Sequence, residues 1–284
     1  MALADTFSLL LPFAPGLPMN FEPQLIIELT LLGLGTGFLA GLLGIGGGML
    51  LVPLITFILS AKGFPAEYTI KMAVATSLAT ILFTSMSSVR AHHRRGAVLW
   101  SVVRLLAPGI LLGSLLGAHI AVALPGKMLN VLFAMFVTFS ATQMLLDRKP
   151  KPGRTLPGGV VMFGMGGVIG LLSALVGAGG AFISVPFMTW CNVKIYNAVG
   201  TSAALGFPLA LAGTLGYIWA GRDLPPMLPG ALGYIYLPGL LIISIASMSI
   251  APLGARTAHG MDIRPLKRVN AIVLYILSAY FFLR

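Results

Sequence analysis

Acidic residues are scarce in this chain. Asp and Glu together number 7 among 284 residues, and all charged residues make up only 9%. A soluble domain carries about 25% charge, so this composition cannot supply a water-facing surface. The same scarcity argues against paired-carboxylate catalysis and against a divalent-cation carrier, both of which need clustered carboxylates. Cys191 is the single cysteine, which excludes an intrachain disulfide and a multi-cysteine metal site. His119 and His259 stand in no metal-ligating spacing. No Gly-Lys-Ser/Thr follows a glycine run, so the phosphate cradle of an ATP-driven pump is missing. There is no nucleophile elbow. The start, Met1-Ala2-Leu3-Ala4-Asp5, lacks the basic region of a signal peptide. The chain therefore reads as no enzyme, with no catalytic residues, no metal and no cofactor.

What is present is apolar length. Hydrophobic residues make up 57%, and the mean hydropathy is +0.97. Candidate membrane spans fall at about 24–59, 70–89, 97–120, 128–146, 157–190, 197–219, 229–252 and 267–283. Most are long enough to cross a bilayer. Lys and Arg number 18 and give a net charge of +11. They cluster between the apolar runs, so they read as loop charge beside lipid headgroups rather than as a nucleic-acid surface. Residues 1–23 form an extracytoplasmic or interfacial segment, with Pro12 and Pro15 inside its apolar part.

The first and fifth runs are too long. Each has about 35 residues, or about 52 Å if wholly helical, against a hydrocarbon core of about 30 Å. Each also carries a glycine break near its middle. The first reads Gly44-Ile45-Gly46-Gly47-Gly48-Met49-Leu50-Leu51-Val52-Pro53; the second reads Gly177-Ala178-Gly179-Gly180-Ala181-Phe182-Ile183-Ser184-Val185-Pro186. Five of the ten positions are identical, at an offset of 133. Splitting each run there gives two segments of roughly 17 residues, each near one membrane thickness.

Split, the chain has ten crossings, five per half, and the odd number inverts the second half. Unsplit, it has eight continuous helices. Loop charge separates the two readings, because Lys and Arg favour the cytoplasmic side. With ten crossings the basic residues divide twelve against five; with eight they divide nine against eight. The expected fold is thus an all-α polytopic membrane protein of two five-segment inverted repeats with broken helices. The repeats cover 24–146 and 157–284, joined by a cytoplasmic linker at 147–156.

Other features recur in the same order. Thr76-Ser77 matches Thr201-Ser202 at offset 125, and Gly117-Ala118 matches Gly254-Ala255 at offset 137. Glycine in a span can allow unusual backbone angles, let helices pack closely, or interrupt a helix to expose backbone polar groups. In the third case, N–H groups starting the helices after Gly48 and Gly180 would attract an anion. Thr76, Ser77, Thr201 and Ser202 could add hydroxyl donors, or could satisfy helix carbonyls. Asn197 precedes the second pair and offers an amide. Pro53 and Pro186 would kink the helices after the breaks. Arg104 lies near the start of its span, where it could snorkel to headgroups or line an aqueous path.

Gly37…Gly41-Leu42-Leu43-Gly44-Ile45-Gly46-Gly47-Gly48…Val52-Pro53, followed by Ala75-Thr76-Ser77, resembles the TauE/SafE sulfite exporter family. Gly170…Gly177-Ala178-Gly179-Gly180…Pro186 with Gly200-Thr201-Ser202 resembles that family's second repeat. The resemblance implies a permease of the cytoplasmic membrane for small sulfur-containing anions such as sulfite, thiosulfate or organosulfonates. The positions matching the family's glycine pattern are Gly44, Gly46, Gly47 and Gly48, then Gly177, Gly179 and Gly180; Ala181 departs from Gly48. Secondary transport by alternating access follows, with a proton as candidate coupling ion. Transport of another anion, a cation or a neutral solute stays open, as does a non-transporting membrane subunit. Direction and oligomeric state are also open.

Overall fold

The computed structural model describes residues 23–43, 48–146, 153, 155–222, 224, 230–258 and 264–283. The N-terminal segment, Gly44, Gly46 and Gly47, most of the linker and His259 lie outside the described residues. The helices are α1 Pro23–Leu43, α2 Gly48–Ala61, α3 Ala66–Arg94, α4 Trp100–Ala123, α5 Gly126–Leu146, α6 Gly159–Val176, α7 Ala181–Trp190, α8 Ile195–Ala220, α9 Leu237–Ala258 and α10 Arg264–Leu283. The protein is an all-α polytopic membrane protein, and α3, α4, α5, α6 and α8 are each long and apolar enough to cross a bilayer.

The second overlong run is broken where its glycines stand, so it is not one continuous helix. The pieces are unequal, which corrects the expected near-equal division. They have 18 and 10 residues. A ten-residue helix rises about 15 Å, half the hydrocarbon thickness. α7 alone is therefore too short to cross the apolar layer. Gly153 N–H, ahead of α6, donates to the Trp190 carbonyl that ends α7, at 3.2 Å. The pair α6–α7 thus folds back on itself.

A second correction concerns the run at 229–252. Its first residues form a short hairpin, β1 Ala231–Leu232 paired antiparallel with β2 Ile235–Tyr236, and α9 starts only at Leu237. Gly230 at φ 73° and Gly233 at φ 56° make the reversals that a helix forbids.

Loops gather at two ends. At one end, Tyr196 Oη donates to the Arg95 carbonyl at 2.8 Å and Asn197 Nδ2 to the Ala97 carbonyl at 3.2 Å. At the other, Phe64 packs edge-on against Tyr236, and Tyr68 lies beside Tyr234. Lys71 is buried in α3 and donates to the Val122 carbonyl in the last turn of α4 at 2.8 Å. A cation there complements the helix C-terminus.

Packing pairs each half's first helix with the other half's fourth. α1 lies on α9 and α6 lies on α4, while α3 packs on α8 and α5 on α10. Small residues allow the close approach. A Cβ on Gly37 would stand 2.5 Å from the Ser247 Cα, and one on Gly33 would stand 2.7 Å from the Ala246 Cβ. Gly166 and Gly170 press likewise on the Leu106 and Ile110 carbonyls, and Gly113 on that of Gly167. Gly33 and Gly37 precede Gly166 and Gly170 by 133 residues, the spacing of the breaks.

Candidate functional site

The second break is built by two left-handed glycines. Gly177 (φ 69°) caps α6, and its N–H and that of Ala178 donate to the Ser173 carbonyl. Gly180 (φ 73°) opens α7 and accepts from the N–H groups of Ile183 and Ser184. Both positions favour glycine, since a Cβ is strained at these angles. The first N–H groups of α7 have no intrahelical partner by helix geometry. They give the break a positive dipole end within the apolar layer.

The first break meets the second. The space where Gly48 would carry a Cβ is occupied by the Gly177 carbonyl oxygen at 2.5 Å and by Ser77 Oγ at 3.2 Å. Ser77 Oγ donates to that same carbonyl at 2.9 Å. Gly48, Ser77 and Gly177 therefore form one buried contact between the halves. Gly179 is described and lies between the two left-handed glycines.

The Thr-Ser pairs are buried and engaged. Thr76 Oγ1 accepts from Tyr236 N–H at 2.9 Å, just before α9, and Thr201 Oγ1 accepts from Leu99 N–H at 3.0 Å, just before α4. Each threonine thus receives a backbone donor at the entrance of the other half's fourth helix. Ser202 Oγ and Ser184 Oγ share a hydrogen bond at 2.7 Å. Asn197 holds the loop at Ala97 rather than reaching the breaks. Pro53 is buried inside α2 and Pro186 half-buried inside α7. Neither has an N–H to give the carbonyl four residues earlier. Arg104 is exposed near the start of α4.

Two polar residues of this region recur nowhere and escaped the sequence reading. Ser173 is fully buried, its Oγ has no hydrogen-bond partner among the described residues, and it lies 3.3 Å from the Cβ position of Gly180. Ser184 stands one turn into α7 and bonds Ser202. At offset 133 their counterparts are Ala40 and Leu51. A search for recurring residues passes over both, because they mark where the halves differ. Their only sequence signal is a lone hydroxyl one turn from a glycine break.

The hairpin covers the end opposite the basic loops. Tyr234 sits against Tyr68 and Tyr217, and Tyr217 Oη donates to the Ala174 carbonyl near the break at 3.0 Å. Burial, then the neighbouring Tyr68 and Glu67, push the Tyr234 phenol up from its ordinary value, so it stays neutral. The centre thus offers backbone N–H groups and hydroxyls, with no acidic side chain among the described residues that line it.

A family model described as sulfite exporter TauE/SafE matches residues 29–281. The chain belongs to the TauE/SafE family. A probable membrane transporter protein of Haemophilus influenzae is 35% identical over 260 residues, spanning 91% of this chain and 98% of that protein. A probable membrane transporter protein of Methanocaldococcus jannaschii is 27% identical, spanning 86% and 89%. Probable membrane transporter protein YunE of Bacillus subtilis is 24% identical, spanning 89% and 95%. This TauE/SafE chain is accordingly a membrane transporter of the cytoplasmic membrane and not an enzyme.

Proposed function

We propose that this TauE/SafE protein carries a small sulfur-containing anion, such as sulfite, thiosulfate or an organosulfonate, by secondary transport with alternating access. Its halves, 24–146 and 157–284, are inverted repeats that rock about the paired helix breaks. The observation that carries this reading is the meeting of the breaks at Gly48, Ser77 and Gly177. It is supported by the exchange of first and fourth helices between halves and by contact between the loops at 95–97 and 196–197. Those loops share a side only if the second long run turns back at its glycines.

The two breaks then have different tasks. Gly48 is closed by packing against Gly177. The start of α7, with the unpartnered Ser173 hydroxyl beside it, is the end that meets the anion. Neutral donors suit an anion that must also leave, because a buried lysine would bind it too firmly. A proton is the coupling ion of an importer, while an exporter can use the inside-negative potential, about 2.3 kcal/mol per charge per 100 mV.

Flux into proteoliposomes tests this. Sulfite, thiosulfate, an alkylsulfonate, sulfate and a divalent cation are compared while pH and voltage are varied. Sulfur anions should move and the cation should not. Leu at Gly47 or Gly180 should abolish flux. Ser173→Ala should raise KM by about 10-fold or more, the loss of one hydrogen bond to a charged ligand. Cation-only flux rejects the substrate class, and anion flux unchanged by both Leu variants rejects the site.

A further inference from the structure

A cavity of about 450 Å³ lies away from the breaks, at the end that carries the basic loops. Three helices make it. The last two turns of α3 supply Met86, Val89, Arg90 and His93, α4 supplies Trp100 and Val103, and α8 supplies Phe207 with Pro208. Positions 86, 89, 90 and 93 follow the spacing of one helix face. The walls are apolar, and the only charged side chain is Arg90, which makes no ion pair among the described residues.

Met86, Trp100 and Phe207 are all exposed large apolar residues, on helices long and apolar enough to cross a bilayer. α3 has 29 residues, about 44 Å of helix, so its last turns reach headgroup depth while Met86 remains beside acyl chains. Trp100 is the kind of amphipathic ring that sits at that level. Its Nε1–H donates to His93 Nδ1 at 3.2 Å. That bond makes Nδ1 the acceptor and leaves the proton of a neutral ring on Nε2, a second donor beside Arg90. Arg94 and Arg95 follow on the same loop and extend the positive field.

We infer that this groove is a binding site for an anionic phospholipid of the surrounding leaflet. One acyl chain lies along Met86, Val89, Val103 and Phe207, and the phosphate is held by Arg90 and the His93 Nε2–H. Charge selects the occupant: a zwitterionic lipid fills the apolar walls equally well but gains less from an unpaired guanidinium. Basic pockets between spans recognise acidic headgroups in this way.

Trp100 reports on the groove directly. The chain has 3 tryptophans, and Trp190→Phe with Trp219→Phe leaves Trp100 as the sole emitter. The protein is reconstituted in mixtures of phosphatidylglycerol and phosphatidylcholine, with either lipid brominated on its acyl chains to quench the indole. Phosphatidylglycerol should be preferred at Trp100 by about fivefold per cationic contact. Arg90→Gln should bring the preference close to one, while Lys127→Gln, in α5, should leave it unchanged. Octanesulfonate in the aqueous phase should not relieve the quenching. Equal quenching by both lipids, or an undiminished preference in Arg90→Gln, overturns the assignment. Relief by octanesulfonate also overturns it, in favour of a soluble amphiphile.

Discussion

Single glycines in this protein do unlike things, and substitution by alanine should tell them apart. At Gly48 a Cβ would stand 2.5 Å from a backbone carbonyl that is itself held by Ser77. At Gly35 nothing lies within 4 Å of the Cβ position. Gly48→Ala should therefore cost about 1–3 kcal/mol through overpacking and lower the melting temperature in a fixed detergent. Gly35→Ala should be neutral or gain up to about 1 kcal/mol from the stiffer helix. A Gly48→Ala protein that melts with the parent would show that the breaks do not press together. The glycine run pointed to Gly48, and recurrence in the sequence to Thr76 and Thr201. It could not say that all three face protein groups, because a duplication retains packing devices and ligand contacts alike. Ser173 and Ser184 stayed hidden for the converse reason: only one half has them.

At the scale of the element, the unusual joint is the entrance to each fourth helix. α4 begins after Leu99 and α9 after Tyr236, and the N–H of each is received by a threonine of the opposite half. Both threonines are fully buried, so no water can take the place of the hydroxyl. Thr76→Val and Thr201→Val should each cost about 1–3 kcal/mol, the penalty of a buried donor left unpaired. Thr→Ser should restore most of it. The bonds share no partner, so the two losses should add in the double variant, as read by denaturation in mixed micelles. Non-additivity would mean that the entrances are coupled. The second break was legible in the sequence, since about 35 apolar residues exceed one bilayer and glycine marks the fold-back. The inequality of the pieces was not. The short α7 is set by tertiary contacts, including Gly153 on Trp190, that no local pattern encodes. The hairpin at 231–236 was lost inside an apolar run, because Tyr234, Ile235 and Tyr236 are as hydrophobic as a span.

The whole molecule holds its halves together at both ends, by chemically different contacts. One end joins Tyr196 to Arg95 and Asn197 to Ala97 through hydrogen bonds. The other joins Tyr68 and Phe64 to the hairpin through aromatic packing. Loop charge assigned the loops to sides, because basic residues avoid translocation; it carried nothing about what seals each side. If the halves rock, each end must part once per cycle, and a covalent tie at either must stop turnover. In a Cys191→Ala background, Arg95→Cys with Tyr196→Cys ties the basic end, and Tyr68→Cys with Tyr234→Cys ties the hairpin end. A short thiol-reactive cross-linker should cut flux at least about tenfold in both, a barrier increase of about 1.4 kcal/mol or more, and cleavage of a reducible linker should restore it. The uncross-linked double variants should transport, since the replaced contacts lie far from the glycine breaks along their helices. Loss of flux at one end only would replace rocking with a single gate at that end. Full flux with both ties in place would mean that the path does not run between the halves, and the joined breaks would then be a packing device alone.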